Sequence, residues 1–294
     1  MAIGIYLIIV VFSVAQSATT KLFHQGSANS SVFNAVKSLT SLVLFALMAI
    51  PGFTLHLTTL LFGVLYGACL CASLYAGYQA LCRGPMALTS MLVSFSVFIP
   101  ILWGFTVGGE QISVLQLAAL LLLIAAIVLS NADALFERLI LRRMLGKDAM
   151  KNRRGMWLLF VGITFLCNGA CSVLQKQHQS LFPDAYNREF MLFAVLFCSI
   201  VFCAILPFRV SFSEFKKTKG KWLAALSGIA NGLANFLTLL LASFENASVL
   251  FPIISVGTLL CAILCGKLMF KEELKLNHYL ALAIGILAVL FLKL

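Results

Sequence analysis

The chain has 294 residues, 62% of them hydrophobic and only 11% charged, with a net charge of +11. A soluble domain carries about 25% charged residues and has no need of long unbroken apolar runs, so a soluble enzyme or binding module is excluded. The basic residues are split up by those runs, which speaks against a nucleic-acid surface and for a membrane topology signal. In chain order the predicted spanning helices lie near 3–22, 31–50, 57–82, 86–107, 113–130, 155–175, 190–207, 221–243, 247–269 and 277–294. A span needs roughly 20 apolar residues, because the hydrocarbon layer is about 30 Å thick and a helix rises about 1.5 Å per residue. The first run is too long for a cleavable signal peptide and has no basic n-region, so it is expected to remain as a helix.

The runs form two related sets of five. A shift of 162 lays residues 87–129 over 249–291, with Leu88/Leu250, Ile101/Ile263, Gly104/Gly266, Glu110/Glu272, Ala119/Ala281, Leu120/Leu282 and Ala126/Ala288 identical. Matches of Leu and Ala between apolar helices carry little information. Gly104/Gly266 followed six residues later by Glu110/Glu272 carries more, because the pair recurs together with a hairpin. The first helices align at a shift of 151, GIYLIIVVFSVAQSAT over GMWLLFVGITFLCNGAC. Five is odd, so the second set must enter the bilayer from the opposite face; inverted repeats of this kind hold a mid-membrane site between them and support alternating access. The expected fold class is an all-α integral membrane protein of ten helices in two inverted repeats. The expected divisions are residues 1–131, a basic inter-repeat loop at 132–154, and residues 155–294.

Lys and Arg are unevenly placed. Seventeen fall on odd-numbered connections, chiefly loops 132–154 and 208–220; Lys176, Arg188 and Lys293 alone fall on the even-numbered side. By the positive-inside rule the odd loops are cytoplasmic and both termini extracytoplasmic.

Candidate functional residues are polar groups at helical spacing inside the spans. Ser13, Gln16, Ser17 and Thr20 share one face of helix one, and the aligned Thr164, Cys167, Asn168 and Cys171 share one face of helix six, with Gln175 a turn further on. Ser227, Asn231 and Asn235 follow at i, i+4 and i+8 in helix eight. Hydroxyls in this setting usually bond between helices or back to their own, whereas amides in hydrocarbon need partners or a wet cavity. Lys37 is the one ionisable residue well inside a span, roughly 9 Å along helix two. Intramembrane charges are functional candidates, although a lysine at that depth can also snorkel to the nearer face. Tyr75 and Tyr78, at i and i+3, are candidates for an aromatic wall, with close packing as the alternative. Arg83 and Glu245 occupy corresponding places at the ends of the third helices and are gate candidates, with solvated helix ends as the alternative. No Asp, Glu or His is expected to be buried mid-span, which speaks against proton-driven capture of an organic cation. The nine cysteines lie in or beside apolar runs and read as packing residues. No metal, cofactor or catalytic residue is expected.

The duplicated five-helix unit, the fourth-helix stretch ALTSMLVSFSVFIPILWG and the hairpin GGEQIS (FKEELK in the second copy, without the Gly) resemble the drug/metabolite transporter superfamily, specifically its EamA-like ten-helix carriers. The resemblance covers nearly the whole chain. It implies a carrier fold, a basic residue in helix two (usually Arg), and cytoplasmic termini, the last opposite to the charge count. The expected activity is therefore carriage of a small polar metabolite, an amino acid or sugar-like solute, by alternating access in the plasma membrane. The expected substrate-binding residues are Gln16, Ser17, Lys37, Tyr75, Tyr78, Asn168, Asn231 and Asn235, and the partners are the solute and the lipid bilayer. A membrane-embedded enzyme acting on lipid-linked substrates and a protein-binding scaffold are the alternatives.

Overall fold

A computed structural model describes residues 2–26, 29–83, 92–111, 113–130, 151–270 and 276–293; several side chains in these stretches, Arg83 among them, are outside the description. The chain order is α1 (Ala2–Gly26), α2 (Ser30–Ala49), α3 (Leu57–Arg83), α4 (Leu92–Thr106), α5 (Val114–Ser130), α6 (Lys151–Leu181), α7 (Asn187–Arg209), α8 (Phe212–Lys217), α9 (Lys221–Leu241), α10 (Ala247–Phe270) and α11 (Leu276–Lys293). Among the described residues there is no strand. Helices α1, α2, α3, α6, α7, α9 and α10 are long and apolar enough to cross a membrane; α4, α5 and α11 carry shorter apolar stretches. In α4 a 3-10 turn at Phe95–Val97 precedes the α-helical Phe98–Thr106.

The chain packs as two compact units, residues 1–71 with 174–245 and residues 72–173 with 246–294. Each unit draws on both of the repeats expected from the sequence, so the expected repeats and the packing units divide the chain differently.

In the first unit α1 packs on α9, and α2 lies against both α7 and α9. Without a hydrophobic drive between helices in lipid, close approach depends on small residues. Gly63 and Gly67 of α3 supply it: a Cβ on Gly63 would lie 2.9 Å from the Phe190 carbonyl oxygen of α7, and one on Gly67 would lie 2.6 Å from that of Ala194. Gly228 does the same between α9 and α2, where a Cβ would stand 2.3 Å from the Lys37 carbonyl oxygen. The Ser41 hydroxyl donates to the Gly228 carbonyl at 2.7 Å, tying the same crossing. Phe23, Phe33, Leu223 and Ala224 close one end as an apolar cluster.

In the second unit α5 packs on α11, and α10 lies against α4, α5 and α11. The hairpin after α4 has a structural duty. The Glu110 carboxylate accepts from the Ala247 and Ser248 amides at 2.6 and 3.0 Å, satisfying two of the N–H groups that the first turn of α10 leaves without helical partners. Gly104 makes room for it, since a Cβ there would lie 2.6 Å from Glu110 Oε2. The Gly–Glu pair seen in the repeat is thus a helix cap and its seat. The corresponding Glu272 lies outside the described residues.

Two features depart from the sequence expectation. Helix α6 runs on to Leu181, beyond the expected end at 175, through Gln175, Lys176, Gln177, His178 and Gln179. These residues break the apolar run but not the helix, and the side chains of Gln175, Lys176, His178 and Gln179 find protein partners. The His178 ring is fully buried: Nε2 lies 3.2 Å from the Thr59 hydroxyl and Nδ1 3.2 Å from Gln179 Nε2. Gln179 also donates to Asn187 Oδ1. Phe62, Phe182 and Phe190 pack around the His178 ring, and His56 stacks on Tyr186 nearby. The second departure is α8, a short helix within the loop expected at 208–220. Ser211 and Glu214 form a reciprocal capping box at its start, and Lys216 and Lys221 lie over the rings of Phe212 and Phe215.

Candidate functional site

The polar groups of the first unit converge on the inner faces of α3, α6 and α9. The Tyr66 hydroxyl donates to Asn235 Oδ1 at 2.8 Å. Asn235 Nδ2 donates to the Asn231 carbonyl at 2.8 Å and to Asn231 Oδ1 at 3.2 Å. Gln175 Nε2 reaches the Tyr66 hydroxyl at 3.4 Å and the Asn235 carbonyl at 3.3 Å. Tyr66 and Gln175 are buried, and the two asparagines half-buried. The i, i+4 spacing brings Asn231 and Asn235 to one face of α9, while Tyr66 and Gln175 come from neighbouring helices. Such a network orients its members, because each amide has its rotamer set by a bond at the other end.

Lys37 stands one layer away. It is only 4% exposed. Its carbonyl lies against Gly228 of α9, and the Cys198 thiol of α7 is within electrostatic reach of its ammonium. Cys198 in turn donates to the Gly67 carbonyl of α3 at 3.4 Å, next along the chain from Tyr66. Among the described residues the Lys37 ammonium has no hydrogen-bond or ion-pair partner.

Gln16 and Ser17 belong to the same unit on α1. The Ser17 hydroxyl is exposed and bonds back to the Ser13 carbonyl at 3.0 Å. The Gln16 side chain is half-buried, and its carbonyl accepts from the hydroxyls of Thr19 and Thr20 at 3.0 and 2.7 Å. The hydroxyls of this stripe are thus largely satisfied within their own helix.

Tyr75, Tyr78 and Asn168 lie in the second unit, where the buried Ser73 hydroxyl donates to Asn168 Oδ1 and so links α3 to α6. Tyr75 is 43% exposed. Of the gate candidates, the Arg83 side chain is outside the described residues. Glu245 is half-buried at the end of α9, where Lys176 donates to its carbonyl at 2.6 Å and to that of Ala242 at 3.0 Å. Lys176 thereby caps the carbonyl end of α9, a favourable place for a cation.

Sequence reasoning missed Tyr66, and its expectation of no buried histidine in a span is corrected by His178, fully buried in α6 where the helix runs past its expected end. Tyr66 has no polar neighbour at i±3 or i±4, only Thr59 and Ser73 two turns away. His178 falls in a polar run that reads as loop, and only the Gln179 and Asn187 amides beyond it hint at a bonded cluster.

Helical composition, membrane-length apolar segments and enclosed polar clusters define the class: the chain is an all-α membrane protein. No family model and no curated protein matches it. A solved structure described only as "Crystal structure of protein" is similar over 99% of this chain and 98% of its own, at 14% identity and a TM-score of 0.73. At that identity the likeness is one of fold.

Proposed function

We propose that the chain is a ten-helix carrier of the EamA-like group in the drug/metabolite transporter superfamily, built from two inverted five-helix repeats and moving a small polar metabolite across the plasma membrane by alternating access. The observation that carries this reading is the set of polar groups enclosed among membrane-length apolar helices: the Tyr66, Asn231, Asn235 and Gln175 network with Lys37 beside it. A structural network would close on itself. Among the described residues the Asn231 NH2 of this one and the neighbouring Lys37 ammonium have no hydrogen bond, and such groups serve a solute that replaces its hydration shell with protein donors. The repeat shift of 162 residues supports the carrier architecture. On this reading Lys37, Asn231 and Asn235 contact solute, Tyr66 and Gln175 hold Asn235 in place, and Ser17 and Asn168 take corresponding positions in the two repeats.

The test is uptake by purified protein in sealed vesicles, screened over a panel of labelled metabolites. Saturable entry that accelerates when the same solute is preloaded inside is the expected result. Folded, correctly inserted protein that moves none of the panel, or that moves solutes without saturation, overturns the reading.

A further inference from the structure

We propose that the solute is a small organic monoanion, a carboxylate without a compensating amine, held by Lys37 of α2 together with the Ser227 hydroxyl and the Asn231 amide of α9. The proposal rests on the carrier reading and narrows it to a substrate class. Lys37 is 96% buried by its 4% exposure and has no anionic or hydrogen-bonding partner among the described residues. A buried charge without a partner is strongly unfavourable, and the cost is relieved when a counter-charge arrives from outside.

Spare donors lie next in the chain to the residues that Lys37 meets on α9 and α7. Gly228, in contact with the Lys37 carbonyl, sets the level on α9. Ser227 immediately precedes it; its side chain is completely buried and its hydroxyl has no hydrogen-bond partner among the described residues. Asn231 lies one turn from Ser227 on the same face. Its Oδ1 already accepts from Asn235, which leaves its NH2 as the free end. On α7, Ser199 follows Cys198, is buried, and also has an unbonded hydroxyl. One ammonium, one amide NH2 and two hydroxyls make a set rich in donors, complementary to an acceptor-only group such as a carboxylate.

The charge of the set selects further. One cation balances one negative charge and leaves a dianion half compensated. A zwitterionic amino acid would bring an ammonium that needs its own acceptor, and the carboxylates of this unit are at helix ends with other duties. Glu189 accepts from Thr54, Asp184 from Ser243, and Glu214 from Ser211. Glu245 sits beyond the last turn of α9. None stands within the helical level of Lys37.

The experiment is thermal unfolding of the full-length protein in detergent with lactate, gluconate and benzoate, each paired with its neutral amide, and with alanine and chloride as further probes. At least one carboxylate is expected to raise Tm saturably, its amide to leave Tm unchanged, and Lys37→Gln to lose the shift while remaining monodisperse. Ser227→Ala provides the second variant: it removes an unbonded hydroxyl, folds at least as well as the wild type, and weakens carboxylate binding by roughly three- to tenfold. Equal shifts from acid and amide, a shift retained in Lys37→Gln, an equal shift from chloride or alanine, or no shift from any carboxylate overturns the assignment. Vesicle uptake separates the two proposals, because a carboxylate shift without uptake removes the carrier reading and leaves the anion site standing.

Discussion

The Glu110 cap on α10 permits a prediction whose sign changes with genetic background. Its carboxylate takes two backbone N–H groups at 2.6 and 3.0 Å, and hydrogen bonds to a charged group contribute about 1.5–3 kcal/mol each. The hairpin is partly exposed, which places the pair at the lower end, so Glu110→Ala is expected to cost about 2–3 kcal/mol. Gly104→Ala should produce nearly the same loss by another route. Its Cβ would stand 2.6 Å from Oε2 and 2.9 Å from Cδ of Glu110, so the carboxylate must leave the helix end. Once Glu110 is Ala, nothing remains to displace. Gly104→Ala should then be neutral, or stabilising by up to about 1 kcal/mol, the gain of Ala over Gly inside a helix. Thermal or denaturant unfolding of the four proteins of the cycle in detergent gives the coupling directly. If the losses from Gly104→Ala and Glu110→Ala add to within about 0.5 kcal/mol, the glycine does not serve the cap and the reasoning fails.

Further outcomes follow from other contacts. Asn235→Leu should destabilise by about 1–3 kcal/mol, because it strands the Tyr66 hydroxyl, and adding Tyr66→Phe should recover part of the loss; no recovery in the unfolding midpoint would detach Tyr66 from the network. Gly67→Val should break the seating of α3 on α7, since its Cβ meets the Ala194 carbonyl at 2.6 Å, while Gly4→Ala, with nothing within 4 Å, should leave the midpoint unchanged. The Glu214 carboxyl is held below its ordinary range first by the Ser211 backbone bond and then by the Ser211 hydroxyl. Its capping contribution to α8 is therefore full above the ordinary carboxylate pKa and lost as pH falls through the lowered value. Amide exchange in residues 211–217, corrected for intrinsic rates, should rise over that acid range, and Glu214→Gln should flatten the dependence. By the positive-inside rule the charge asymmetry predicts both termini outside the cytoplasm, so alkaline phosphatase fused after Leu294 should be active and green fluorescent protein dark there; the reverse pair of results would favour the orientation that the family resemblance implies.

Much of the helical framework was legible because a membrane span is a local property. Apolar length alone placed α2, α3, α9 and α10 close to their observed bounds. It failed for the far end of α6, where polar residues remain helical because His178, Gln179 and Gln175 are bonded to other elements, a tertiary fact that no window on the sequence contains. The Gly104–Glu110 pair was legible as a recurrence, but its meaning needed the start of α10, more than 130 residues away. Helical spacing joined Ser227, Asn231 and Asn235, and the structure draws Asn231 and Asn235 into one network. It did not find Tyr66, since a lone tyrosine in an apolar helix reads as packing until its hydroxyl is seen on Asn235.

The candidate site shows where such reading stops. Sequence can count the donors and acceptors that a set of side chains brings, but recognition depends on those left over after the protein has bonded to itself. Asn231 and Asn235 are identical in sequence terms. Asn235 has given its oxygen to Tyr66 and its NH2 to Asn231, whereas Asn231 has given only its oxygen. Both serines at 38 and 227 are buried, yet Ser38 donates to the Ala35 carbonyl and Ser227 donates to nothing among the described residues. Lys37 reads from sequence as a lysine near enough to a membrane face to reach it, and only its enclosure between α7 and α9 makes its charge available to a bound molecule rather than to water. The preference for an anion arises from that remainder: after the internal bonds are made, donors are in excess and no carboxylate of the unit stands at their level.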